Sequence, residues 1–301
     1  MFMKLWGCAL ILLLTGSAAA ATEVPGVDIL RVPQPRGADD SAYHYSTGLL
    51  KKALLKAANG RAVPTIVPAS MPLSTERKIH ELRLNRTLDV AWLGGSKARG
   101  VDLLVVPIPL ERGLVGYRQF IIRKDRIADF DAVKTLEDLK QLKACLDAHW
   151  VEADVFRDAQ LEIVTSVNYE GMFKQLAAGR CDYLPRGFNE AKIDLAKRVA
   201  EYPQLMVYEP LILHYPFASY FYLNKDNKVI AQWLRDGLEK MIDDGELLEY
   251  MKAHEATSVA FTLASSPKRM LVIPNHYLPE FSNENDRRYW IQASEFVNTS
   301  D

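Results

Sequence analysis

Arg186 is the residue with the most specific chemistry in this chain. It stands in Tyr183-Leu-Pro-Arg-Gly187, between a proline and a glycine, at the end of a short apolar run. A guanidinium presents five donors in a fixed fork that matches a carboxylate or a phosphate. A buried cation without a partner is costly, so the position calls for a protein carboxylate or an anionic ligand group. Asp182 and Glu190 are close in sequence, but strand alternation and the following turn make neither an obvious partner. A structural salt bridge is the competing role. His149-Trp-Val-Glu152 has helical spacing for two metal ligands, yet zinc sites take three or four protein ligands, so a chance pair is the better reading. Tyr43-His44-Tyr45 is an aromatic cluster, and the six histidines are scattered. There is no Gly-x-Ser-x-Gly elbow, no His-Glu-x-x-His pair and no phosphate-cradling glycine loop. No metal and no cofactor are expected, and no enzyme motif is contiguous.

The elements around these residues alternate. Residues 27–33 read as a strand and 46–58 as a helix, with Leu49, Leu50, Ala53, Leu54 and Ala57 on one face. Thr65–Val67 is a short strand, and Ser74 is suited to cap a helix carrying Ile79, Leu82 and Leu84 inward. A buried strand at 89–93, an apolar run at 103–108 and a longer strand at 116–123 follow. A second cycle opens with the capping pattern Thr135-Leu-Glu-Asp138 and a helix at 136–143. It continues as strand 144–148, helix 151–159, strand 161–167, helix 169–179, strand 181–184 and helix 189–200. Tyr220–Leu223 reads as a return strand. Residues 228–251 form the strongest amphipathic helix, broken briefly at Asp243-Asp244-Gly245. Such alternation predicts α/β lobes with mostly parallel sheets flanked by helices.

Composition bounds the rest. With 301 residues, 49% apolar and 25% charged, the chain can build one large or two modest domains. Its 37 basic and 38 acidic residues give no basic field for nucleic acid. A mean hydropathy of −0.10 excludes a multispan membrane protein. Lys4, the apolar run Leu5–Leu14 and the small residues 16–21 read as a secretory signal, with cleavage after Ala20 or Ala21. That run is shorter than the roughly 20 residues a membrane span needs. Cys8 does not follow the apolar core, which argues against a lipid anchor. The mature protein is expected to be periplasmic and monomeric. Export puts Cys145 and Cys181 in an oxidising compartment, where each opens an apolar strand-like run. Adjacent parallel strands would join them, so a disulfide is expected, with two separate buried thiols as the alternative.

The order of segments resembles a known family. Residues 106–124 (Val-Pro-Ile-Pro-Leu-Glu-Arg-Gly-Leu-Val-Gly-Tyr-Arg-Gln-Phe-Ile-Ile-Arg-Lys) look like the first crossover of type II periplasmic solute-binding proteins. Thr135-Leu-Glu-Asp-Leu-Lys140 resembles the helix that opens their second lobe. Residues 169–183 (Tyr-Glu-Gly-Met-Phe-Lys-Gln-Leu-Ala-Ala-Gly-Arg-Cys-Asp-Tyr) resemble their helix–Gly-Arg-x-Asp–strand unit. Tyr220-Phe-Tyr-Leu-Asn-Lys-Asp226 and the 228–251 helix resemble the return into lobe one. The resemblance spans roughly residues 27–255 and is nearest the amino-acid-binding subgroup of family 3, in particular orphan exported members with a Tyr-x-Pro-Arg-Gly strand end.

The resemblance implies a two-lobed α/β fold with crossovers at 108–124 and 211–224. Lobe one would comprise 22–115 plus 216–301, and lobe two 116–215. Ligand contacts would follow the strand ends. In lobe one these are Tyr43 and Trp92 as apolar walls, and Ser96 with the Gly94-Gly95 amides as donors. Arg77 or Arg99 would hold a ligand carboxylate there. In lobe two they are Trp150, Ser166 and Arg186. Amino-acid binders carry an Asp near the Arg186 position, so the reversed charge favours an anionic ligand over a free amino acid, with affinity depending on Arg186. The implied role is capture of a small polar solute for a membrane permease of an ABC transporter, as in amino acid transport, or for a sensor. An exported hydrolase-like enzyme with a noncontiguous site is the alternative.

Overall fold

The computed structural model describes residues 27–35, 37, 40–262 and 268–295. The expected signal segment, 1–21, lies outside the described residues.

The chain begins with β1 (Ile29–Val32), α1 (Ser41–Ala58), β2 (Thr65–Pro68), α2 (Thr75–Leu84), β3 (Val90–Gly94), α3 (Lys97–Asp102) and β4 (Leu104–Val105). Polar side chains set the helix starts. The Asp40 carboxylate accepts the Tyr43 amide at the head of α1, and the Ser74 hydroxyl accepts the Arg77 amide at the head of α2. The chain continues through β5 (Tyr117–Arg123), α4 (Ile127–Ala132), α5 (Leu136–Leu139), β6 (Lys143–Asp147), α6 (Val151–Asp158), β7 (Glu162–Ser166), α7 (Tyr169–Ala177), β8 (Tyr183–Gly187), α8 (Ala191–Ala196) and β9 (Leu205–His214). It returns as β10 (Ser219–Leu223), α9 (Lys228–Asp243), α10 (Glu246–Ala253), α11 (Glu255–Thr262) and β11 (Arg269–Val272).

The strands form a parallel pair β1-β2, a three-stranded sheet β3-β10-β4 and a six-stranded sheet β11-β9-β5-β8-β6-β7. The first two lie side by side. The Arg31 carbonyl on β1 accepts the Asp89 amide at the foot of β3, and the Arg31 guanidinium pairs with the Asp89 carboxylate at 2.6 Å. The chain passes between the two sheet systems from β4 to β5 and back from β9 to β10. Strands next to these passages run antiparallel: β5 to both β8 and β9, and β10 to both β3 and β4. The six-stranded sheet is therefore mixed, with parallel pairs at β6-β7, β6-β8 and β9-β11, while β1-β2 is a parallel pair and β3-β10-β4 pairs antiparallel throughout. The register of β5 against β9 shifts between Arg118 and Phe120, an irregularity of the kind that re-aims side chains.

Several boundaries differ from the sequence pattern. The Thr135–Asp138 capping box is present, but α5 is a single turn because Lys143 already opens β6. The 228–251 helix does break where the sequence places the interruption, dividing at Gly245, whose φ of 78° suits a residue without a Cβ. Strand β11 falls in the segment 216–301 assigned to lobe one, yet it pairs with β9 in the six-stranded sheet. Hydrophobic periodicity over four residues carries no information about which sheet edge a strand will find.

Helix α9 buries Ile230, Trp233, Leu234, Leu238 and Met241, and packs on α1. Gly237 permits the close approach, since a Cβ there would collide with the Ala53 carbonyl. On one face of the six-stranded sheet, Cys145 of β6 and Cys181 just before β8 form a disulfide, with Cα atoms 5.7 Å apart. It closes a loop with a sequence separation of 36, worth about 4 kcal/mol in the chain-entropy account. Among the described residues no helix is long and apolar enough to cross a membrane.

Candidate ligand-binding cleft

A cavity of about 580 Å³ opens between the two sheet systems. Tyr43 of α1, Lys78 of α2, Trp92 of β3 and Arg99 of α3 line it from one side. Arg118 of β5, Asp147 of β6, Trp150 and Glu152 at the head of α6, and Arg186 of β8 line it from the other. Strands β3, β6 and β8 all end at this cavity, where polar groups beyond strand ends and helix starts converge.

Four of the six expected ligand residues line the cleft: Tyr43, Trp92, Trp150 and Arg186. The Tyr43 and Trp92 rings pack on each other with centroids 5.8 Å apart, and both also lean on the core of the first sheet system. They are wall and core together. Arg77 and Ser96 are not among the lining residues. One helical turn places Glu81 beside Arg77, at 2.6 Å, and the Arg77 side chain is 58% exposed. Its neighbours Ser74, Thr75 and Lys78 face the cavity in its place. Ser96 is buried at the head of α3, and the adjacent Gly95 amide is already donated to the Ala218 carbonyl at 2.8 Å. That amide is not available to a ligand. Ser166 is buried and its hydroxyl donates to the Asn168 carbonyl at 2.9 Å, an internal turn contact.

Arg186 overturns an expectation. Its Nε donates to Asp194 at 2.7 Å, and its terminal nitrogen pairs with Glu190 at 3.0 Å. The turn after β8 and the first turn of α8 bring both carboxylates onto one guanidinium. Glu190 is further held by the Gly187 amide at 3.0 Å. The rings of Trp150 and Tyr169 each lie 5.2 Å from the guanidinium carbon. Arg186 is 5% exposed. Burial opposes its charge, but Glu190, Tyr169 and Asp194 more than compensate and raise its pKa well above the ordinary value. No ligand anion is needed to neutralise it, so it lends no support to an anionic ligand.

Arg99 is the contrasting case. It is partly buried in the cleft wall and donates to the Gly94 carbonyl. Among the described residues no carboxylate lies within ion-pair distance of it. Burial lowers its pKa, against the opposing pull of Tyr222, Glu152 and Glu76. Of the two lobe-one arginines proposed from the sequence, this is the one that reaches the cleft. On the opposite wall, the Asp147 carboxylate ends β6 and accepts the His149 amide at 2.9 Å. No cation is within ion-pair distance of Asp147 among the described residues. Arg118, 3% exposed, pairs with Glu152 at 3.1 Å and lies 5.2 Å from the Tyr215 and Phe217 rings. The sequence pattern did not mark Asp147, Arg118 or Lys78. The strand end at 147 was legible, and that placement was the available signal for Asp147.

His149 and Glu152 do not converge. His149 pairs across the cleft mouth with Glu76 of α2 at 3.1 Å, while Glu152 serves Arg118. Among the described residues no group of three or more His, Cys, Asp or Glu side chains is placed to hold a metal ion.

No family model and no curated protein matches the chain. Solved structures do match. An ancestral arginine-binding protein bound to arginine is 17% identical with a TM-score of 0.54, over 75% of this chain and 98% of its own. The amino acid ABC transporter substrate-binding protein AbpA from Streptococcus pneumoniae, bound to L-arginine, is 16% identical with a TM-score of 0.53, over 77% and 96%. An ancestral amino acid-binding protein described as a precursor of cyclohexadienyl dehydratase is 17% identical with a TM-score of 0.53, over 75% and 95%. At these identities the likeness is one of fold. This chain has the two-lobed α/β fold of type II periplasmic solute-binding proteins, with the cleft where the lobes meet.

Proposed function

We propose that the protein is an exported solute-binding protein that closes on a small, carboxylate-bearing, amino-acid-like ligand and presents it to a membrane permease or sensor. The observation that carries this reading is the pair of charged groups without ionic partners on opposite walls of the cleft. Arg99 suits a carboxylate and Asp147 suits an ammonium, so a zwitterion spanning the two satisfies both. A cavity of about 580 Å³ is the size of a small-molecule site. Amino-acid ligands in similar solved structures support the same class. Hinge closure of two lobes around such a ligand excludes water and strengthens each charged contact. The anionic character expected from Arg186 is here transferred to the carboxylate end of the ligand, at Arg99.

A thermal-shift screen of amino acids, organic acids and phosphates on protein refolded free of ligand tests this. An amino acid is expected to raise Tm, and Arg99→Ala to abolish the shift. A phosphate as the sole stabilising compound would count against it.

A second reading, an exported enzyme in the same cleft, draws on one observation. Burial, then the charge of Glu190, pushes the Glu111 carboxyl up to about 8, a range suited to general acid–base work. That reading requires a chemically changed product when the bound ligand is recovered, which mass spectrometry detects.

A further inference from the structure

The last described segment, 268–295, touches both lobes and both passages between them. It starts on lobe two, where β11 pairs with β9 and Leu271 and Ile273 are buried in the core of the six-stranded sheet. It then runs beside the β9–β10 passage. The Ile273 amide donates to the His214 carbonyl at 3.0 Å, and the Asn275 Nδ2 donates to the Pro216 carbonyl at 2.8 Å. Tyr277 reaches both lobes at once. Its hydroxyl donates to Asp158 at the end of α6 at 3.1 Å, and its carbonyl accepts the Lys97 amide at the head of α3, also at 3.1 Å.

Beyond Tyr277 the segment packs on lobe one. Leu278 lies against the core of the three-stranded sheet, and Arg288 pairs with Glu239 and Asp243 of α9, both at 2.7 Å. It ends on the other passage, the one from β4 to β5. Trp290 is 4% exposed and seated on Gly113, where a Cβ would collide with its ring. The Ile291 amide donates to the Arg112 carbonyl at 2.8 Å, and the Arg112 guanidinium donates to the Arg287 carbonyl at 2.7 Å.

Lobes joined by two passages rotate through φ/ψ changes at a few residues of those passages. A further segment bonded along one passage and plugged into the other blocks those changes unless its own contacts break. Its contacts to the two lobes are made together in the arrangement seen here, in which His149 of lobe two also reaches Glu76 of lobe one across the cleft mouth at 3.1 Å. Contacts made in one arrangement and lost in the other bias the equilibrium toward the first.

We propose that residues 268–295 form a hinge brace that holds the lobes together and makes opening of the cleft conditional on detachment at Tyr277. The brace concerns the lobes and not what lies between them, so it stands whatever the ligand is. Tyr277 is the point where detachment starts, because it is the residue that spans from α6 to α3 and it is only partly buried. Trp290 is the anchor that keeps the rest of the segment on the β4–β5 passage.

Pulsed electron paramagnetic resonance on the ligand-free mature chain tests it, with nitroxide labels at Val101→Cys on α3 and Glu137→Cys on α5. Both positions are well exposed, and Cys145 and Cys181 are joined to each other and do not compete for label. The labelled protein is expected to give one narrow interlobe distance. Tyr277→Ala should raise the weight of longer distances about fivefold, the change that one lost hydrogen bond makes, and Trp290→Ala should raise it more. Leu176→Ala is the control. It hollows a core cluster of lobe two that contains no residue of the brace or of the passages, so the distance should stay as it was. A broad distribution before any brace substitution would overturn the proposal. So would an unchanged distribution in Tyr277→Ala, or one that Leu176→Ala widens equally. Should Trp290→Ala fail to fold, Tyr277→Ala decides the matter alone.

Discussion

Two arginines reach the same cleft from opposite walls, and their surroundings assign them different work. Arg186 sits at a strand end on the second sheet system, clasped by Asp194 at 2.7 Å and Glu190 at 3.0 Å between two aromatic rings. Arg99 starts from a short helix on the first, and its recorded partner is a backbone carbonyl. The first is neutralised by two protein carboxylates, and the second has no ion pair among the described residues. A cation at a cleft is therefore informative about ligand only after its protein partners have been counted.

That contrast can be broken at several points. The largest effect of a single substitution should come from Arg186→Ala, which strands Glu190 and Asp194 at a mostly buried site; a loss of about 3–5 kcal/mol in denaturant unfolding is expected. A loss under about 1 kcal/mol would mean that solvent screens the cluster and that Arg186 is free to serve a ligand after all.

Glu111 sharpens the same distinction through pH. Its folded carboxyl titrates at about 8, above its ordinary 4.5, so the folded state holds a proton that the unfolded state has released. Stability should fall as pH rises through that window and level off above it, by on the order of 5 kcal/mol. Glu111→Gln cannot ionise and should flatten the profile between pH 5 and 8. A profile in the variant as steep as in wild type would assign the slope to other groups.

Arg99→Ala should act in the opposite sense to Arg186→Ala. Ligand affinity should fall by about 1.5–3 kcal/mol, the worth of a hydrogen bond to a charged group. Unfolding stability should move by less than about 1 kcal/mol, because no buried carboxylate is left behind. Titration calorimetry and denaturant melts on one preparation separate the two effects. The smallest change should come from His149→Ala, which removes a half-exposed pair with Glu76 across the cleft mouth; about 0–1 kcal/mol is typical of such pairs.

Legibility differed sharply between elements and contacts. The α9 face was readable because Ile230, Trp233, Leu234, Leu238 and Met241 recur at helical spacing and all are buried. The Thr135–Asp138 capping box and the Cys145–Cys181 disulfide were readable because local hydrogen-bond chemistry and parallel neighbouring strands express themselves over short stretches. Strand β11 was not readable, since four residues with a mixed burial pattern find their sheet only through a long-range pairing with β9. At the site, aromatic walls were easier to anticipate than ionic partners. Tyr43, Trp92 and Trp150 do face the cleft, whereas Arg77 turned to Glu81 one helical turn away and Ser96 was buried by the start of α3.

By itself the sequence determined the alternation of elements, the strand ends that carry Trp92, Asp147 and Arg186, and the fold class, because periodicity, caps and turn residues act locally. Only the tertiary structure decided which charges remain unspent. Whether Arg186 needs a ligand depends on a carboxylate eight residues away arriving at 2.7 Å, and whether Glu111 ionises depends on how fully the packing of separate elements excludes water from it. Desolvation and ion pairing are properties of assembled neighbours, and no residue carries them in its own side chain.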